Sequence, residues 1–134
     1  MYQYTDFDRQ FIRLRAEQFR DQLERWQAGK LTEEQFRPLR LQNGWYVQRY
    51  APMLRVAVPY GELSSTQLRV LARVAREYDQ PEPALLAEAQ ATQEKLGDIP
   101  LADGRRIGTK LKYGYGHFTT RTNVQFNWIP ITKA

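Results

Sequence analysis

Residues 53–78 force a strand and a helix into direct succession. Met53-Leu54-Arg55-Val56-Ala57-Val58 alternates, with Leu54, Val56 and Val58 on one face and Met53, Arg55 and Ala57 on the other. Pro59-Tyr60-Gly61 breaks the strand. Ser64-Ser65-Thr66-Gln67 then forms a capping box, and Leu63 and Leu68 stand at the positions of a hydrophobic staple. Leu68, Leu71, Ala72, Ala75 and Tyr78 make one helical face, and the helix ends near Asp79. A strand with one apolar face, followed at once by an amphipathic helix, buries both faces by laying the helix on a sheet. The expected class is therefore α+β.

The flanking segments extend this reading. Thr5 is an N-cap, with Asp6 and Asp8 at the positive end of the helix dipole. Ile12, Ala16, Phe19, Leu23 and Trp26 follow in one stripe, and Gly29 suits the stop. Thr32-Glu33-Glu34-Gln35 caps a short second helix that Pro38 is expected to end. Leu39–Gln42 and Trp45–Tyr50 flank Asn43-Gly44, which reads as a hairpin turn. Beyond the joint Gln80-Pro81-Glu82-Pro83, a helix is expected over 84–96, with Pro83 at its first position and Gly97 after its end. Asp103-Gly104 can turn a small hairpin between Ile99-Pro100-Leu101 and residues 105–113. The last segment, from Gly114, is Gly-rich and then strand-like, with Val124, Phe126 and Trp128 on one face and Arg121, Asn123, Gln125 and Asn127 on the other.

Composition excludes several classes. The 134 residues include no Cys and a single His, so disulfides, thiolate zinc sites, cysteine-held clusters and multi-histidine metal sites are out of reach of this chain. No apolar run approaches the roughly 18 residues of a membrane helix. The start Met1-Tyr2-Gln3-Tyr4-Thr5-Asp6 has neither a basic nor an apolar segment, so no secretory signal is expected and the cytoplasm is the expected compartment. The net charge of +5 suits an anionic partner, and equally a soluble protein with charged helix faces.

Few residues stand out chemically. Arg121 with three amides in register is a donor set that suits carboxylates, and it is also what an ordinary exposed strand face carries. Arg55, flanked by apolar residues, either snorkels to the sheet edge or points into a site that needs fixed positive charge. His117 is an acid, base or ligand candidate, or a hydrogen-bonded structural residue beside a Gly-rich turn. Tyr113-Gly114-Tyr115-Gly116 lacks the spacing and following helix of a phosphate loop.

Three stretches together resemble a known family. They are Phe36-Arg37-Pro38-Leu39-Arg40-Leu41-Gln42-Asn43-Gly44; Met53 to Gly61 leading into Leu63-Ser64-Ser65-Thr66-Gln67-Leu68; and Gly114-Tyr115-Gly116-His117-Phe118-Thr119-Thr120-Arg121-Thr122-Asn123-Val124-Gln125-Phe126-Asn127-Trp128. All three are similar to the start of the bacterial assimilatory sulfite reductase haemoprotein (β) subunit, within the nitrite/sulfite reductase ferredoxin-like half domain. The helix from Tyr4 to Trp26 resembles that subunit's N-terminal arm. The likeness covers residues 1–79 and 113–130, and residues 80–112 have no counterpart in it.

The resemblance implies a ferredoxin-like antiparallel sheet with helices on one face. It divides the chain into an N-terminal helical arm over 1–38 and a half domain over 39–130 with an inserted segment at about 80–112. Family members bind sirohaem, a carboxylate-rich tetrapyrrole, beside a four-iron, four-sulfur cluster and reduce sulfite or nitrite by six electrons, a step of sulfate assimilation for sulfite. By that likeness Arg55 binds the substrate anion. Arg121, Thr119, Asn123, Gln125 and His117 contact the cofactor, His117 least firmly, since some relatives carry another basic residue there. The partners implied are the remainder of the reductase and its electron donor. The expected chain stops before the cluster cysteines, supplies no metal ligand and no catalytic residue of its own, and is inactive as an isolated oxidoreductase. The alternative is a stand-alone basic module for a polyanion such as nucleic acid, through Arg13, Arg15, Arg105, Arg106, Lys110 and Lys112, although no nucleic-acid motif is present. A third possibility is an interaction module that uses the N-terminal helix as a docking arm.

Overall fold

A computed structural model describes residues 2–47, 52–96, 99–100, 106–107 and 113–134. Helix α1 (Asp6–Gln27) begins at a capping box in which Thr5 Oγ1 accepts from the Asp8 amide and the Thr5 amide donates to Asp8 Oδ2 at 2.8 Å. Helix α2 (Glu33–Gln42) starts the same way, with Thr32 and Gln35 as the reciprocal pair. Strands β1 (Trp45–Val47) and β2 (Pro52–Ala57) follow, then a 3-10 turn over Pro59–Gly61 and helix α3 (Ser65–Tyr78), capped by Ser64 and Gln67. Helix α4 (Pro83–Leu96) begins at Pro83 as expected, and Ile99–Pro100 (β3) pairs antiparallel with Arg106–Ile107 (β4). The Asp103-Gly104 turn lies outside the described residues. Strands β5 (His117–Thr119) and β6 (Asn123–Phe126) close the chain before a 3-10 turn over Ile131–Lys133.

Several expectations are corrected. Leu39–Gln42 is not a strand, and Asn43-Gly44 is not a hairpin turn. α2 runs through Pro38 to Gln42, Asn43 caps it, and Gly44 turns the chain into β1. Pro38 removes one helical hydrogen bond on an exposed side. Phe36 and Arg40 outweigh that loss. Phe36 is fully buried, its ring stacked between Trp26 (centroids 4.8 Å apart) and Phe19 (6.2 Å). Arg40 is buried too, donating to the Trp45 carbonyl at 3.1 Å and pairing with Glu33 at 3.0 Å. Residues 118–127 are likewise not one strand. They form a hairpin whose turn is Thr120–Thr122, with Thr122 in the left-handed region at φ 52°.

The sheet order is β1-β2-β6-β5, all neighbours antiparallel, so strands from residues 53–58 and 117–126 share one sheet as expected. Trp45, Leu54, Val56, Val124 and Phe126 lie on one face, and residues from α1, α2 and α3 pack against them to make the core with Val58, Ala75 and Ile129. The fold is thus α+β, ferredoxin-like, with α1, α2 and α3 on one face. The α1 stripe is only half used. Phe19 and Leu23 are buried and Trp26 packs on the core, whereas Ile12 and Ala16 are exposed and the first turns stand clear, with Phe7 74% and Leu14 62% exposed. Tyr78, expected on the packed face of α3, is exposed. Among the described residues no helix is long and apolar enough to cross a membrane.

Asp79 joins the end of α3 to the last hairpin. It is 1% exposed. Its Oδ2 accepts from the amides of Gly114 (2.8 Å) and Tyr115 (3.2 Å), and its Oδ1 accepts from the Trp128 amide (2.7 Å). Burial pushes this carboxyl above the ordinary aspartate range, and the amides of Trp128, Tyr115, Gly114 and Asn127 draw it back down. The Gly114 amide also donates to the Asp79 carbonyl at 2.8 Å, so the chain leaves at Gln80 and returns at Gly114 to the same point. Joined directly, Asp79-Gln80-Tyr113-Gly114 would place that bond between the first and fourth residues of a β-turn.

Deleting residues 81–112 and joining Gln80 to Tyr113 is therefore expected to leave cooperative urea unfolding intact. Asp79→Ala should lower stability by about 1–3 kcal/mol, because the buried Trp128 amide loses its acceptor and the part-buried Tyr115 amide loses one too. Loss of cooperative unfolding in the deletion chain, or an unchanged urea midpoint in Asp79→Ala, would contradict this account of the joint.

Candidate anion-binding site

The face of the sheet opposite the helices carries the polar residues. Register places them in rows. Arg55 on β2 opposes Gln125 on β6, which opposes His117 on β5. Ala57 opposes Asn123, which opposes Thr119. Five of the six residues singled out in the sequence thus share a patch of about 10 by 7 Å, set by strand spacing and residue rise. The sixth, Arg121, was expected within a strand; it sits instead in the β5–β6 turn, at the end of the Asn123 row. The left-handed Thr122 makes this turn, which is the bulge-like break that alternation alone does not register.

Arg55 and Arg121 nevertheless line one hollow of about 480 Å3 with Gly44, Tyr46 and Asn123. Among the described residues no carboxylate lines it. The described ion pairs are Arg25–Asp21, Arg40–Glu33 and Arg73–Glu77, so neither Arg55 nor Arg121 is neutralised among the described residues. Arg55 is held by neutral groups instead. Its Cζ lies 4.8 Å from the centroid of the Tyr46 ring. The Gln125 amide, set with its oxygen toward the guanidinium, accepts from Arg55 Nη2 at 2.9 Å and Nε at 3.1 Å. Both contacts leave the charge in place.

The other residues differ in what they offer. Asn123 Nδ2 donates to the Arg121 carbonyl at 3.3 Å, and its buried Oδ1 has no donor among the described residues. Asn123 therefore shapes the turn and presents an acceptor, which does not complement an anion. Thr119 Oγ1 accepts from the Arg121 amide at 3.3 Å and also serves the turn. His117 is half-buried one strand beyond Gln125, its ring 6.3 Å from that of Tyr115, and it does not line the hollow. Of the polyanion candidates, Arg105, Lys110 and Lys112 lie outside the described residues. Among the described residues no group of three or more His, Asp or Glu side chains is placed to hold a metal.

Two contributors were not singled out in the sequence. Tyr46 is a diagonal neighbour of Arg55 across β1–β2, a relation that exists only once the register is known. Gly44 has φ 81°, and its carbonyl accepts from the Arg55 amide at 2.8 Å. A Cβ at Gly44 would run into the Arg55 carbonyl. Asn43-Gly44 was the visible signal for this position, although it was read as a different turn.

Residues 46–82 match the family model for the nitrite/sulfite reductase ferredoxin-like half domain. No curated protein and no solved structure matches the chain. The matched span contains Tyr46, Arg55, α3 and Asp79; the β5–β6 hairpin lies outside it.

Gly44→Val is expected to cost about 1–3 kcal/mol from the left-handed backbone alone. It should also displace Arg55, seen as a lower melting temperature together with shifted backbone amide resonances at Arg55 and Gln125. A fully stable variant with unshifted resonances would show that Gly44 does not fix β2.

Proposed function

We propose that the chain is a half-domain module of a sirohaem-dependent sulfite or nitrite reductase, supplying positive charge to the oxyanion and to the carboxylates of the cofactor. The observation that carries this reading is the hollow shared by Arg55 and Arg121, two cations with no neutralising carboxylate among the described residues, beside a span that matches the family's half domain. In this reading Arg55 takes the substrate anion. Arg121 takes a carboxylate of the tetrapyrrole, and Gln125 acts through Arg55. Asn123 and Thr119 hold the turn that carries Arg121, and His117 lies at the margin.

The donor set fits part of sirohaem. Two guanidiniums suit carboxylate groups, and a hollow of about 480 Å3 is within the range of small-molecule sites. When bound, that group supplies the redox iron for multi-electron reduction. The donor set does not fit the iron–sulfur cluster, whose thiolate ligands cannot come from a chain with no Cys. The half domain is thus a binding element that works with the rest of a cytoplasmic reductase and its electron donor.

Titration of the purified chain with sirohaem, followed by the shift of the tetrapyrrole absorbance bands, tests the proposal. Weak saturable binding is expected, falling about tenfold in Arg55→Ala or Arg121→Ala, as loss of a charge-assisted contact implies. Sulfite reduction by the chain with a chemical donor should not exceed that of free sirohaem. Absence of binding, or binding indifferent to both substitutions, would overturn the proposal.

A further inference from the structure

We infer that Tyr46 and Gln125 are positioning residues that fix the Arg55 guanidinium with one edge free, so that Nη1 is presented to the anion. The inference deepens the proposed function and rests on it for the identity of the anion. Three observations carry it. The donors of Arg55 face the Gln125 amide, and with its oxygen turned toward them that amide takes Nε and Nη2 together, a two-point contact that sets the plane and direction of the fork. The Tyr46 ring lies 4.8 Å from Cζ and blocks rotation out of that plane. Nη1 has no partner among the described residues, and the hollow that Arg55 lines contains no acidic side chain.

The choice of an amide matters. A carboxylate at position 125 would make the same two-point contact and would also cancel the charge that the site offers. Glutamine orients the cation without neutralising it. Tyrosine acts in the same way, since its ring quadrupole stabilises the charge while supplying no counter-ion. The geometry separates two jobs, holding and binding, onto different edges of one guanidinium.

The test is nitrogen–proton NMR of the arginine Nε–Hε groups in the full chain, with sodium sulfite as the probe. In the free protein the Arg55 Hε signal should be slow to exchange and moved upfield by the Tyr46 ring. That shift should disappear in Tyr46→Leu and persist in Tyr46→Phe. Sulfite affinity should fall about fivefold in Tyr46→Leu, the equivalent of one exposed cation–π contact. In Gln125→Glu the Hε signal should stay protected while sulfite affinity falls at least as far, a split that loss of folding does not produce.

The outcomes separate this inference from the reading it rests on. A protected, ring-shifted Arg55 signal with no sulfite response in the wild-type chain keeps the positioning and defeats the anion function. Wild-type sulfite binding that is unchanged in Tyr46→Leu and Gln125→Glu overturns the positioning and keeps the function. An Arg55 Hε signal as labile and unshifted as that of exposed Arg121 also overturns the positioning.

Discussion

The buried carboxylate of Asp79 ties together parts of the fold that sequence order keeps apart. Its two oxygens receive amides from Gly114 and Tyr115 on one side and from Trp128 on the other, so the start and the exit of the β5–β6 hairpin are both referred to the end of α3. A buried carboxyl group is costly, and this one is tolerated because backbone donors surround it. The consequence reaches the hollow. β6 lies between β2 and β5, and its position against β2 decides whether Gln125 meets Arg55. Close packing reinforces the constraint at Gly116, where a Cβ would stand 2.7 Å from Phe126 and 2.9 Å from Val124. The hairpin is therefore pressed onto the core at one end and tethered by Asp79 at both.

Strand alternation then divides the labour. Leu54, Val56, Val124 and Phe126 face the helices, and the residues between them, Arg55, Asn123 and Gln125, face away. A one-residue slip of β6 would exchange the two sets and place Gln125 in the core. The same apolar packing that holds α1, α2 and α3 to the sheet thus guarantees that the polar rows emerge on the far side. The candidate site inherits its geometry from the register.

What the sequence revealed follows the range of the forces involved. The capping boxes at Thr32 and Ser64, the N-cap at Thr5 and the alternation over residues 54–57 are local, and each is present in the structure, although Met53, on the face of Arg55, is buried. The misread elements depend on distant partners. Pro38 is carried through a helix because Phe36 stacks on α1 and Arg40 reaches the Trp45 carbonyl, neither of which is local to the proline. The 120–122 turn rests on a left-handed threonine, a conformation that composition does not announce. At the site, Arg55, Gln125 and Asn123 were visible as residues, and their shared face followed from period two. The roles of Tyr46 and Gly44 were not visible, because they come from pairing across β1 and β2.

The charge balance of the hollow gives the last step. On the helix surfaces Arg25 pairs with Asp21 and Arg73 with Glu77, each one turn away. Exposed pairs of this kind contribute little stability, so the absence of one at Arg55 has little energetic cost. Their absence matters for binding. A guanidinium already paired must lose that partner before it takes an anion, whereas one oriented by an amide and an aromatic ring exchanges only water. Arg121, on an exposed turn, has the charge without the orientation. The two cations are therefore unequal, one pre-set and one adaptable. That asymmetry suits a ligand set in which a small oxyanion needs a fixed donor and a larger, flexible carboxylate does not.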